Sequence, residues 1–323
     1  MTKRKQPRRD IHQPHDKFFK EALSRLDIAR DYIINFLPTS IRDKLHLGSL
    51  ELSKDSYLTK ELHKSFSDLV YKCTYGQGKQ TISIALLFEH KSHPDRYIRL
   101  QLLRYMLNMW EAQRNNKIPL TPILPIVFYH GQQPWIKRPF AGLFKKIDHD
   151  LRGFLPEWDY ALTDLNKYPF EDITRFKAGI LINTLLAYKL RYDEAAIKAN
   201  FRLLLNTGSK PENRNFIVTI FVYLMSVTDI NPDELDTMLT QIPDDVKPAI
   251  MTTYDRLIAK GREEGIKKGL EQGLEQGLEQ GAELKTVQTI ENMHREGFSI
   301  AVIAKVVEVE EAFVQQVISH LSI

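Results

Sequence analysis

Apolar residues recur at three- and four-residue steps over 15–37, where Phe18, Phe19, Ala22, Leu23, Leu26, Ala29, Ile33, Ile34 and Leu37 mark one face of a helix that Pro38 ends. The pattern then changes to short β-type runs near 49–53, 66–74 and 81–90, and Gly76-Gln77-Gly78 predicts a hairpin turn between the last two. A second helical stripe, Leu100, Leu103, Leu107 and Trp110, spans 96–115. Pro119 and Pro122 break the chain before a further apolar run, Ile123 to Tyr129, and another strand is expected over 158–162. Helix, three strands, helix, strand is the order of an α/β (α+β mixed sheet) fold whose sheet is covered by helices. From Ile173 to about 259 the chain reads as wholly helical, with apolar stripes over 173–190, 194–207, 214–227 and 232–241. That region is expected to pack on or beside the sheet-bearing core.

The C-terminal part has a different texture. Gly261, Gly265, Gly269, Gly273, Gly277 and Gly281 recur every four residues, and Leu-Glu-Gln fills three of the gaps. On a helix of about 3.6 residues per turn a four-residue period drifts about 40° per step. Each glycine costs about 1 kcal/mol relative to alanine, so the six together weaken an isolated helix by about 6 kcal/mol. Either close packing against another chain offsets that cost, or the segment is a flexible linker. The companion stripe Leu270, Leu274 and Leu278 favours a helical self-association element, and the Glu and Gln residues exclude a transmembrane small-xxx-small helix. Residues 284–323 form a small helical tail, in which Gly297 to Ala304 resembles the turn and second helix of a helix-turn-helix. A capping or oligomerising bundle is the preferred reading over DNA contact.

Composition adds bounds. Of 323 residues 43% are hydrophobic and 27% charged, ordinary values for a soluble protein. The net charge of +4 permits nucleic-acid binding without arguing for it. Lys3, Arg4, Lys5, Arg8 and Arg9 stand in residues 1–9 without an acid, so a basic flexible arm over 1–10 could touch phosphates or serve only solubility. The single cysteine, Cys73, excludes an intramolecular disulfide framework and a Cys-rich zinc site, and it reads as a core residue. The N-terminus is too polar for a signal peptide and no apolar run reaches eighteen residues, so a cytoplasmic protein without a membrane partner is expected. There is no Gly-rich phosphate loop, no His-x-x-x-His helix and no Gly-x-Ser-x-Gly elbow.

The candidate chemistry sits where the apolar run 83–88 ends in Glu89-His90-Lys91. Residues two apart on a strand share a face, so Glu89 and Lys91 point the same way. Asp68, beside the neighbouring strand-like segment, offers a second carboxylate. Two carboxylates suit a hard cation such as Mg²⁺, and a lysine beside them is what phosphodiester hydrolysis would use. A surface ion pair at the end of a strand is the plain alternative.

The spacing Asp68…Glu89-x-Lys91 resembles the PD-(D/E)XK nuclease superfamily. The surrounding residues resemble one branch of it, the Rpn (recombination-promoting nuclease, YhgA-like) family. The likeness covers His15 to Lys20, Asp68 to Tyr71, Leu87 to Ser92, Arg99 to Tyr105, Pro125 to Gly131 and Tyr160 to Leu165, and continues into the Gly-rich region. It implies a restriction-endonuclease-like core over 11–170, which the patterning above follows with a helical region over 171–260, the repeat over 261–283 and the tail over 284–323. It also implies a bacterial DNA endonuclease, dependent on Mg²⁺ or another divalent cation and tied to recombination, mobile elements or phage. On that reading Asp68, Glu89 and the backbone carbonyl of His90 hold the metal. Lys91 orients or deprotonates the attacking water, or stabilises developing charge. Gln101 is carried over as a helix residue facing the site, where its amide could hold a water or a phosphate.

Several neighbours are expected to be structural. Asp16 caps the first helix, which the resemblance brings towards the sheet. The His90 side chain must point to the face opposite Glu89, while His93 could reach the site through the following turn. Trp135 reads as core packing rather than a base-stacking platform. A DDE-type transposase core would carry three separated carboxylates on an RNase-H-like sheet, and the Glu-x-Lys spacing favours a nuclease instead. The rival reading is a catalytically weak DNA-binding or oligomerising regulatory protein that retains the fold.

Overall fold

The apolar run of the sequence becomes the central strand of a five-stranded sheet. A computed structural model describes residues 14–53, 69–77, 80–176, 179–206, 213–228, 230 and 232–321. The chain divides into two units, Met1–Met251 and Thr252–Ile323. In the first, strands β1 (Leu45–Leu52), β2 (Leu69–Gln77), β3 (Gln80–Lys91), β4 (Ile123–Tyr129) and β5 (Ala161–Asp164) lie in sequence order across the sheet. The first three pair antiparallel, whereas β3, β4 and β5 run parallel. Every residue from Ile84 to His90 is buried, as expected of a strand covered on both faces.

Parallel neighbours need a crossover, and helix α4 (Ile98–Asn115) supplies it between β3 and β4. Alternation along the strands then sorts the core. Leu87, Val127 and Tyr129 face α4 and pack with Ile98, Leu102, Tyr105, Trp135 and Tyr160. Phe88, His90 and Phe128 face the other way, towards α1 (Pro14–Leu23), α2 (Leu26–Phe36) and a later helix carrying Tyr188. Trp135 is a core residue, donating from Nε1 to the Tyr160 hydroxyl at 3.1 Å. Cys73 is buried in β2, again as expected.

After the four-residue α3 (Thr39–Arg42) and the crossover helix α4, the helical region comprises α5 (Phe170–Thr174), α6 (Gly179–Leu190), α7 (Glu194–Ala199), α8 (Phe201–Leu204), α9 (Arg214–Val227) and α10 (Pro232–Leu239). The stripes expected over 173–190 and 194–207 are therefore each divided between two helices.

Three expectations change in detail. The single helix over 15–37 is two helices, α1 and α2, separated at Ser24 and Arg25, with Arg25 extended (φ −78°, ψ 124°). The Arg25 side chain bonds both oxygens of Asp27 and reaches Asn213 at 2.8 Å, which anchors the break. The bend lets Phe18 of α1 stack on Tyr223 of α9, with centroids 4.1 Å apart, while Tyr32 of α2 meets Phe88 of the sheet. In α4 the buried stripe is Ile98, Leu102, Tyr105, Met106 and Met109, whereas Leu100 and Leu107 are exposed. That helix carries two apolar stripes, and the sheet takes the bulkier one. The two strands run further into the expected turn than Gly76-Gln77-Gly78 predicts, since Gly76 still pairs with Thr81 and Gln77 with Gln80.

In the second unit the Gly-x-x-x repeat lies inside one helix, α11 (Lys247–Arg295), rather than in an irregular linker. Gly297, at φ +87°, turns the chain after α11, a conformation glycine takes without a Cβ penalty. Helices α12 (Ile300–Val307) and α13 (Glu311–Leu321) follow, and Ile290, Ile303, Ala304 and Val314 form a small core with the end of α11. Among the described residues no helix is long and apolar enough to cross a membrane.

Candidate functional site

Glu89 and Lys91 leave the C-terminal end of β3 on the α4 face, and α4 presents Gln101 to both. The Lys91 ammonium donates to Gln101 Oε1 at 2.6 Å and lies 3.4 Å from Glu89 Oε1. The Gln101 amide nitrogen donates to Glu89 Oε1 at 2.8 Å and to the Tyr105 hydroxyl at 2.6 Å. Only one orientation of that amide works. Reversed, its nitrogen would face an ammonium and its oxygen a carboxylate. Gln101 therefore ties the acid to the base. Asp95 adds a second carboxylate to Lys91 at 3.0 Å and accepts from the Tyr97 amide at 2.8 Å, steadying the turn that enters α4.

Glu89, Lys91, Asp95 and Gln101 line a cavity of about 460 Å³, shared with Asp16, His90, Ser92, His93, Pro94 and Arg96. The Glu89 side chain is only 6% exposed, and its second oxygen, Oε2, is buried with no hydrogen-bond partner among the described residues. A buried carboxylate oxygen left unpaired is costly, and a hard cation is the partner that carboxylate chemistry suits. Glu89 thus offers one oxygen that a divalent cation could take. Among the described residues no three His, Cys, Asp or Glu side chains are grouped to hold one. Asp68 lies outside the described residues, immediately before Leu69, whose register partner Phe88 precedes Glu89.

On the opposite face His90 occupies a buried polar cluster. Its Nδ1–H donates to Asp16 Oδ1 of α1 at 2.7 Å, because a carboxylate can only accept. Its Nε2 is then the acceptor for Nε2–H of His130, which follows β4. This assignment leaves His130 Nδ1 as a buried acceptor without a partner among the described residues. His15 stands against His130 and bonds the Tyr223 hydroxyl at 3.0 Å, while Arg191 donates to the His130 carbonyl at 2.6 Å. Burial, reinforced by the Arg191 charge and by His90, holds His15 down at about 4. Burial likewise lowers His90 against the opposing pull of Asp16, and it places His130 well below the usual imidazole range. At neutral pH the three rings are uncharged, which is what a cluster beside a buried guanidinium requires.

The structure therefore brings Glu89, Lys91 and Gln101 together, turns the His90 ring away from them and puts His93 on the cavity wall. Asp68 and the basic arm Lys3, Arg4, Lys5, Arg8 and Arg9 lie outside the described residues. Sequence reasoning missed Asp95 and Tyr105, and it missed that Asp16 clamps His90. Pro94-Asp95 just ahead of a helical stripe was the available signal for Asp95.

A mixed sheet with one acid–lysine pair at the end of its central strand, covered by helices on both faces, is an arrangement consistent with the restriction-endonuclease-like α+β core. The family described as "Putative transposase, YhgA-like" matches residues 13–215, and the chain belongs to it. Among similar proteins, Recombination-promoting nuclease RpnD of Escherichia coli O157:H7 is 25% identical over 250 residues, covering 76% of this chain and 94% of that one. Recombination-promoting nuclease RpnA of Escherichia coli (strain K12) is 24% identical over 253 residues, with 77% and 85% covered. Inactive recombination-promoting nuclease-like protein RpnE of the same strain is 24% identical over 258 residues, with 78% and 84% covered. No solved structure matches the chain.

Proposed function

We propose that the chain is a metal-dependent DNA endonuclease of the PD-(D/E)XK type, acting in recombination or on mobile or phage DNA in the bacterial cytoplasm. The observation that carries this reading is the cavity-lining Glu89, whose buried Oε2 has no partner among the described residues and whose other oxygen is tied through Gln101 to a lysine. Relatives named as recombination-promoting nucleases support it. Glu89, Asp68 and the His90 carbonyl would hold Mg²⁺ or another divalent cation, which when bound acidifies water and neutralises phosphoryl charge. Lys91 stands beside Glu89 to orient the attacking water and to stabilise negative charge growing on the phosphate. Gln101 keeps the lysine and the carboxylate in one geometry, and Asp95 limits how far the ammonium swings.

A supercoiled plasmid incubated with the protein tests this. With Mg²⁺ the wild type is expected to nick or linearise it, EDTA to stop the reaction, and Asp68→Ala to abolish cleavage while sparing DNA binding. Unchanged cleavage in Asp68→Ala would remove that residue from the site. A wild type that cleaves nothing with Mg²⁺ or Mn²⁺ would favour the DNA-binding, regulatory reading, in line with the relative named inactive.

A separate observation supports self-association. Leu270, Leu274 and Leu278 are 74%, 65% and 67% exposed, and apart from the helix's own backbone and the adjacent residues no described atom lies within 4 Å of a Cβ built on Gly265, Gly269, Gly273, Gly277 or Gly281. The leucines form a ridge of the four-residue class beside a glycine groove, the surface that ridge-into-groove helix packing uses. Before the ridge, Lys260, Arg262, Lys267 and Lys268 outnumber Glu263 and Glu264, whereas Glu271, Glu275, Glu279 and Glu283 run along it without a basic residue, so an antiparallel second copy sets a net positive stretch against a negative one. Leu270→Asn with Leu274→Asn is expected to lower the mass measured by light scattering towards that of one chain. An unchanged mass would end this role for the repeat.

A further inference from the structure

Beside the cavity, the connection between β4 and β5 carries exposed and half-exposed aromatic and basic side chains that the acid–lysine pair does not use. Phe154 is 86% exposed and Phe144 47%, with Leu151 and Ile136 also in solvent. Lys145, Lys146 and Arg152 are interleaved with them, all exposed and without an ion pair among the described residues. Asp159, just beyond the segment, pairs with Arg99 and Lys137. Within 136–154 the bases Lys137, Arg138, Lys145, Lys146 and Arg152 stand against the acids Asp148 and Asp150, so the segment is net positive.

The loop is moored to the site. Arg96, on the cavity wall, donates to the Leu143 carbonyl at 3.2 Å. Three residues on, Arg99 donates to the Arg138 carbonyl at 2.6 Å and to the Trp158 carbonyl. Two arginines at the entrance to α4 thus fix the start, middle and end of the segment against the rim of the cavity that holds Glu89 and Lys91. Tyr97, between them, is itself 55% exposed.

Resting on the nuclease reading, we infer that residues 136–154 form a binding surface for a nucleic-acid strand with unpaired bases, Phe144 and Phe154 stacking on bases while Lys145, Lys146 and Arg152 contact phosphates. Exposed rings alternating with unpaired cations are what single strands select, since every base has a face to stack and every linkage a charge. A duplex offers its charges but keeps its bases stacked, so it would leave the two phenylalanines unused. Such a surface beside the site directs the enzyme to DNA that is already single-stranded, frayed or gapped.

The test is fluorescence anisotropy in the Lys91→Ala background with Mg²⁺, so that binding is read without cleavage, using labelled oligothymidylate of about 20 nucleotides and a duplex of equal length. Phe144→Ala with Phe154→Ala is expected to weaken the single strand about tenfold or more and the duplex hardly at all. Lys145→Ala with Lys146→Ala is expected to weaken the single strand and flatten its logarithmic salt dependence by about 1.4, two contacts at about 0.7 each. Circular dichroism should change little, because Phe154 and both lysines are exposed and Phe144 meets the buried Phe140 only at a centroid distance of 6.4 Å. Loss confined to the lysine pair would make the loop a phosphate contact only and overturn the single-strand assignment. Unchanged affinity in both pairs, with a wild type that still cleaves plasmid, would overturn this inference alone. A wild type that binds neither oligonucleotide would remove the nuclease reading along with it.

Discussion

Glu89→Gln is expected to lower the plasmid cleavage rate by at least about 10²–10³-fold while the melting temperature stays close to that of the wild type. The substitution keeps the shape and keeps an acceptor for the Gln101 amide at Oε1, so the packing around a residue only 5% exposed is retained. What it removes is the charge, and with it the affinity of Oε2 for a cation. Burying a carboxylate is costly, so its neutral isostere loses little stability despite the lost ion pair. Lys91 still holds Asp95 at 3.0 Å and Gln101 at 2.6 Å. Lys91→Ala should lose as much activity but melt lower, because it leaves Glu89 buried without its cation. The two variants, read by plasmid nicking and thermal melts, separate loss of chemistry from loss of fold. A Glu89→Gln protein that keeps more than about a tenth of the wild-type rate would show that this carboxylate is not at the reaction centre.

The chemistry depends on packing because one strand serves two faces. Glu89 and Lys91 project towards α4, and the residue between them plants its ring in the opposite layer, clamped by Asp16 and His130. The His90 carbonyl expected to face a metal is thus held by contacts on the far side of the sheet. Buried, uncharged imidazoles suit that duty, since they add no positive charge to repel a cation across the strand.

Much of this was legible in the chain. The continuous apolar run marked β3 as a strand buried on both faces, and the two-residue step put Glu89 and Lys91 together. Other parts were hidden for physical reasons. The break between α1 and α2 leaves the three- and four-residue spacing intact, because it is set by Arg25 reaching Asn213, far along the chain. The phase of α4 was ambiguous because both of its stripes are apolar, and only the partner surface chooses between them. Gln101 has no local signature; its role comes from bonds to two strand residues across a turn, and it was found through resemblance. Asp16 and His130 meet His90 from 74 and 40 residues away, so no spacing rule reports them. The placement of Asp68 relative to Glu89 rests on resemblance and adjacency.

Gly131→Ala is expected to be among the most destabilising single-methyl additions in the protein, costing about 2–3 kcal/mol or more. A Cβ there would stand 2.3 Å from the Ser92 carbonyl oxygen and 2.3 Å from the Tyr129 hydroxyl. Neither can retreat cheaply. Tyr129 is fully buried and its hydroxyl donates to the Gln133 carbonyl, while Ser92 is the residue after Lys91 and lines the cavity. The only relief is to push the end of β3 away from the end of β4, which displaces Lys91 from Gln101 and His90 from His130. Activity should therefore fall even in the fraction that stays folded. Gly48→Ala in β1, where nothing lies within 4 Å of the added carbon, is the control and should leave both melting and cleavage close to wild type. Thermal melts of the two variants decide it, and a Gly131→Ala protein as stable as the Gly48→Ala protein would mean that the two strand ends are not held together as tightly as the acid–lysine geometry requires.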